Sequence, residues 1–141
     1  MCSFELIEHT ADVGLRIEAA TLEQLFVEAG HGVFSLVVEN PESIVPRQTV
    51  TIELESENLE CLFVDWLREL IFRFETEHVL LSKFRVQLSG DDRRLRAECT
   101  GETADWTRHL PDNELKAVTY HGLRVERTPS GGWLAEVIFD I

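Results

Sequence analysis

The groups best suited to chemistry in this 141-residue chain are carboxylates, and two of them close the sequence: the Asp140 side chain and the α-carboxylate of Ile141. They end the run Trp133-Leu134-Ala135-Glu136-Val137-Ile138-Phe139, which is apolar enough to lie inside a sheet. Chain ends usually fray; this one is expected to be held. Oxygen anions fixed side by side require a cation or a cluster of donors. Asp12, in the polar loop Glu8-His9-Thr10-Ala11-Asp12, supplies a third anionic group if that loop meets the end of the last strand. Three such groups suit a hard divalent cation such as Ca²⁺ or Mg²⁺, which takes carboxylates, carbonyls and water. On spacing alone the plainer alternative stays open, with Asp12 shaping a turn and Asp140 solvated.

Other chemistry is thinly represented. The sequence has no glycine-rich phosphate loop, no G-x-S-x-G elbow, no H-E-x-x-H and no paired C-x-x-C. No two of its histidines are spaced as a zinc-ligand pair on one element. Cys2, Cys61 and Cys99 are an odd set without metal-ligand spacing, as expected of thiols in a reducing cytoplasm. The remaining polar candidates are His9, Thr10, Arg108, His109, Lys116 and His121. A formal charge of −13 repels phosphate backbones, so direct high-affinity nucleic-acid binding is not expected; cations and basic protein surfaces are the natural partners. No apolar run is long enough to span a membrane, and no signal pattern opens the sequence. A cytoplasmic location and one domain over 1–141 are the expectation.

The elements that must position these groups follow from periodicity. Phe4–Ile7 reads as a short strand, and Val13, Leu15 and Ile17 alternate with polar residues in a second. Thr21 followed by Gln24 is a capping-box signal, and Leu22, Leu25, Phe26, Ala29, Val33, Leu36 and Val37 form one helical stripe. Gly30 and Gly32 interrupt it, which implies either close packing around His31 or a weakened helix. Val50, Ile52 and Leu54 mark another strand. Ser56 or Asn58 then caps a helix in which Leu59, Leu62, Phe63, Trp66, Leu67, Leu70, Ile71 and Phe74 make a wide apolar arc. Phe84–Leu88 and Leu95–Cys99 read as a hairpin around Gly90-Asp91-Asp92, and the polar stretch from Thr100 to Asn113 as a long loop. In the final hairpin, around Ser130-Gly131-Gly132, Val118 and Tyr120 are out of phase with Leu123 and Val125; His121-Gly122 at the break signals a β-bulge. Both faces of the last strand are apolar, which predicts an interior position. The fold class is α+β, a mostly antiparallel sheet layered with two helices, in the order β-β-α-β-α-β-β-β-β.

Four motifs in this order resemble the archease family: His9-Thr10-Ala11-Asp12-Val13-Gly14, Trp66-Leu67-Arg68-Glu69-Leu70, Lys116-Ala117-Val118-Thr119-Tyr120-His121, and the closing Val137-Ile138-Phe139-Asp140-Ile141. The resemblance covers essentially the whole chain. It implies an accessory factor for the RtcB-type RNA-splicing ligase, which joins tRNA exons with GTP and a divalent metal. The factor promotes ligase guanylylation and multiple turnover and is not itself the catalyst. The family's metal ligands fall on Asp12, Asp140 and Ile141, with Ca²⁺ the expected ion and Mg²⁺ or Mn²⁺ alternatives. Lys116 is a further functional candidate, with His9 and His121 as supporting ones. Arg68 departs from the family pattern, where a small polar residue more often follows Trp-Leu. Two other readings are a free-standing metal-dependent phosphoester hydrolase, with His9 as its base, and an acidic chaperone or adaptor that acts without metal.

Overall fold

The computed structural model describes residues 11–141, so the expected strand Phe4–Ile7 lies outside the described residues. The order within them is β1 (Asp12–Ala19), α1 (Leu22–Val37), β2 (Gln48–Glu55), α2 (Leu59–Glu77), β3 (Val79–Ser89), β4 (Arg94–Thr103), β5 (Ala117–Arg127) and β6 (Trp133–Asp140). That is the order expected from Val13 onward. The strands form two antiparallel three-stranded sheets, β1-β6-β5 and β2-β4-β3. Helix α1 packs on β1 and β3, and α2 on β5 and β2, so both helices bridge the two sheets.

Both helices start where their sequences direct. Thr21 Oγ1 accepts the Gln24 N–H at 3.1 Å, and of the two candidate caps for α2 Asn58 is used, accepting the Cys61 N–H at 2.9 Å. Helix α2 is the main core donor: Leu62, Phe63, Val64, Trp66, Leu67 and Leu70 are all fully buried. Burying each large side chain is worth about 1.5–3 kcal/mol. The Trp66 indole N–H is satisfied inside that core by the Phe26 carbonyl of α1 at 2.9 Å, which fixes one helix against the other.

Gly30 and Gly32 report close packing. A Cβ on Gly30 would stand 2.9 Å from the Phe84 ring and one on Gly32 2.7 Å from Leu15 Cδ1. Phe84 fills the space between His31, Phe34 and Trp66. Gly30→Ala adds about 1 kcal/mol of helix propensity, but overpacking against the ring costs about 1–3 kcal/mol. The expected net result is a loss of about 1 kcal/mol in urea unfolding.

The polar stretch from Thr100 is a correction. Thr100–Thr103 continue β4, and the loop begins only after Thr103. Glu102 lies on the outward-facing parity of that strand yet is only 4% exposed, because it is covered by the segments around Val45 and His109. A polar residue covered by loops leaves no hydrophobic alternation to read.

Candidate functional site

The first sheet assembles the candidate carboxylates. Strand β6 is its central strand, as the apolar character of both faces required. Ala135, Val137 and Phe139 are buried on the core side together with Ile17 of β1 and Val118 of β5. Strict alternation therefore turns Glu136, Ile138 and Asp140 to the other face. The register sets three rows across that face: Arg16–Glu136–Arg124, Gly14–Ile138–Thr119 and Asp12–Asp140–Ala117. Asp12 and Asp140, far apart in sequence, are thus directly opposed across β1 and β6.

The end of the chain is held at the same place. Ile141 donates its N–H to the Ala11 carbonyl at 3.0 Å, and its side chain packs on the core. Lys116 donates its backbone N–H to the Asp140 carbonyl at 2.8 Å. Asp12, Asp140, Ile141 and the Lys116 backbone therefore converge on one corner of the sheet. His121 stands apart, in the interruption of β5–β6 pairing between Thr119 and Arg124, where Gly122 has φ +67°. That irregularity is the bulge expected from the phase break. His9 lies outside the described residues.

Electrostatics separate the rows. Glu136 accepts from both Arg16 and Arg124 at 3.1 Å, so the one carboxylate of its row is fully paired. Among the described residues the Asp12 and Asp140 carboxylates take part in no ion pair or side-chain hydrogen bond. Like charges directly opposed across a strand pair repel. Among the described residues no group of three His, Cys, Asp or Glu side chains stands together as a ready metal cage. The side-chain carboxylates of this corner are two, Asp12 and Asp140, with Ile141 tied to Ala11 beside them. The donor set fits a hard divalent ion: oxygen anions beside backbone carbonyls, with no thiolate or imidazole among the described residues of the corner.

Sequence reasoning passed over one group here. The Thr119 hydroxyl, in the row next to the two aspartates, is buried and has no hydrogen-bond partner among the described residues. Its only sequence signal is parity, since Thr119 shares the face of Ala117, which pairs with Asp140. Arg68 also finds a role: its guanidinium lies 5.4 Å from the centre of the Tyr120 ring and donates to the Val118 carbonyl at 3.4 Å, clamping α2 to β5 on the opposite, helix-packed side of the sheet.

The model of the archease protein family matches residues 4–141. The chain belongs to the archease family. Protein archease of Thermococcus gammatolerans is 36% identical over 143 residues that span 100% of each chain, and that of Methanopyrus kandleri 41% identical over 140 residues, 98% of this chain and 99% of the other. The solution structure of protein 1598 of Methanobacterium thermoautotrophicum, 30% identical, superposes with a TM-score of 0.77 over 96% of both chains. The crystal structure of a Thermotoga maritima archease, described as a possible chaperone, shares the archease fold at 22% identity, with a TM-score of 0.68 over 100% of this chain and 99% of that one. Across the described residues of this archease-family chain, no helix is long and apolar enough to cross a membrane.

Proposed function

We propose that this protein is an accessory factor for an RtcB-type RNA-splicing ligase, promoting its guanylylation and multiple turnover, and that Asp12, Asp140 and the Ile141 carboxylate hold a divalent cation, Ca²⁺ before Mg²⁺ or Mn²⁺. Family membership supports the partner. The direct opposition of Asp12 and Asp140, with Ile141 tied to Ala11 beside them, is the observation that carries the site. A bound cation would relieve the repulsion of the two aspartates and supply a positive centre for phosphoryl oxygens. The chain's own residues shape the approach: Lys116 is exposed at the rim of the corner, and the pairing of β1, β6 and β5 keeps the carboxylates from collapsing inward. A surface of charge −13 favours docking beside a basic RNA-binding groove without competing for the RNA.

The test is RNA ligation with substrate in excess over ligase, and covalent GMP transfer to the ligase, each with and without this protein. Wild type is expected to raise the number of turnovers, and Asp12→Asn to lower the stimulation by at least about tenfold, the lower bound for disturbing a metal site's support. Full stimulation by Asp12→Asn sinks the metal reading and leaves an adaptor that acts without metal. Phosphoester turnover by the purified protein alone, lost in the same variant, replaces the accessory reading with that of a hydrolase.

A further inference from the structure

Two buried side-chain atoms among the described residues have no hydrogen-bond partner, Thr119 Oγ1 and Thr100 Oγ1. They differ in their neighbourhood. Thr100 pairs with Thr49 and Lys83 in the other sheet, whereas Thr119 stands in the first sheet, opposite Ile138, on the face and in the row adjoining Asp12 and Asp140. A buried hydroxyl without a protein partner is uncommon and calls for an explanation, an ordered water or an ion being the recognised ones.

The surroundings explain why this hydroxyl is available. Ile138 lies between two glycines: its Cγ1 is 4.0 Å from where a Gly14 Cβ would stand, and its Cδ1 is 3.9 Å from the Gly122 position. The side chain beside Thr119 is therefore hydrocarbon, and the bulge takes the next residues of β5 out of register. Neither offers Thr119 a polar partner. Its diagonal neighbour on the same face is Asp140, since Asp140 pairs with Ala117, two residues before Thr119. Diagonal positions on one face of a sheet lie about 7–8 Å apart, so two side chains as short as these meet only when each turns toward the other. Asp12 and Thr119 flank Asp140 from opposite sides, on β1 and β5, so one Asp140 oxygen can serve a cation shared with Asp12 while the other accepts from Thr119.

We propose that Thr119 is a positioning residue for the carboxylate corner: its hydroxyl donates to the Asp140 carboxylate when a divalent cation is bound and fixes that ligand's orientation. The inference rests on the corner being a cation site. Carboxylate ligands are commonly held by such hydrogen bonds, and removing the partner typically weakens the site 10–100-fold. An unpartnered donor in the free state that gains its acceptor on loading couples Thr119 to binding and leaves it a liability in the absence of metal.

This predicts opposite signs in two measurements. Calcium affinity is read by calorimetry, and melting is read in excess chelator, for wild type, Thr119→Val, Thr119→Ser and Thr100→Val. Thr119→Val is expected to bind Ca²⁺ about tenfold more weakly yet to melt about 2–4 °C higher without metal, because a methyl replaces an unpartnered hydroxyl. Thr119→Ser restores the affinity, and Thr100→Val, the equivalent deletion away from the corner, leaves it unchanged. Wild-type affinity in Thr119→Val, a lower metal-free melting temperature in that variant, or equal weakening by Thr100→Val each overturns the role of Thr119 alone. If wild type binds neither Ca²⁺, Mg²⁺ nor Mn²⁺, the cation site itself falls and this inference falls with it.

Discussion

Glu102→Ala lowers the unfolding free energy by about 3 kcal/mol, measured by urea denaturation at neutral pH. The carboxylate is buried and serves several donors at once: the Val45 N–H at 2.6 Å, the His109 Nε2 at 3.2 Å and the Arg108 guanidinium. The Asp105 N–H points at His109 Nδ1, at 2.9 Å, which leaves Nε2 as the nitrogen that donates to Glu102. Truncation strands the imidazole N–H in a fully buried site and frees the Val45 amide. Removing one partner of a buried ionic group typically costs about 3–5 kcal/mol; the lower end applies because Arg108, 40% exposed, turns to water. Burial works to raise the Glu102 carboxyl, but hydrogen bonds from Val45, Arg108 and His109, with the Arg108 charge, hold it below the ordinary glutamate range. A folded-state value below the unfolded one stabilises the protein above the unfolded carboxyl range and is lost as pH falls through the folded value. The stability gap between wild type and Glu102→Gln should therefore stay constant from pH 8 to about pH 5 and narrow below about pH 4. A gap unchanged down to pH 3 overturns the assignment.

The effect of Glu102 reaches the candidate site through the chain. The segment it anchors is also bonded to the end of α1: Glu39 N–H to the Leu110 carbonyl at 2.8 Å, Asp112 N–H to Val37 at 2.9 Å and Asn113 N–H to Leu36 at 2.9 Å. Lys116 comes soon after in the chain. The long polar stretch is thus a strap that fixes where β5 begins, and with it the register that sets Ala117 against Asp140.

How much of this was legible depended on whether the cause was local. The helices were, because caps at Thr21 and Asn58 and a 3.6-residue stripe are properties of neighbouring residues. So were the interior position of β6 and the bulge at Gly122, both of which are matters of parity. The division into two sheets was not: no repeat within β2 states that its partner is β4 and not β6, since pairing is chosen by packing across long sequence separations. Asp140 could be assigned to a face from its alternation with Phe139, but its opposition to Asp12 is a register fact, invisible until β1 and β6 are laid side by side. Thr119 illustrates the same limit. That its hydroxyl has no hydrogen-bond partner among the described residues is a fact of packing, and an absent contact leaves no mark in the sequence.

Asp140→Ala is expected to abolish the calcium response of the fold without harming the fold. Under the cation-site reading, free Ca²⁺ at a hundred times its dissociation constant stabilises wild type by about 2.7 kcal/mol through mass action. The variant keeps the backbone bonds that hold the corner, Lys116 N–H to the residue 140 carbonyl and Ile141 N–H to the Ala11 carbonyl. It loses the carboxylate opposite Asp12. In chelator, relief of that like-charge pair leaves Asp140→Ala as stable as wild type, or more stable by up to about 1 kcal/mol. With saturating Ca²⁺ the order reverses, wild type rising by several degrees while the variant stays where it was. Deleting Ile141 moves the α-carboxylate back onto residue 140 and removes the bond to Ala11, so it too should blunt the response, but with a metal-free loss of stability that Asp140→Ala does not show. The crossing of the two melting curves is diagnostic. An aspartate that only caps the strand end would, when removed, lower both curves together, and parallel curves with a calcium response intact in the variant would leave the corner without a cation. Loss of the calcium response together with loss of stimulated guanylylation in the ligase assay would tie ion and partner to the same carboxylate.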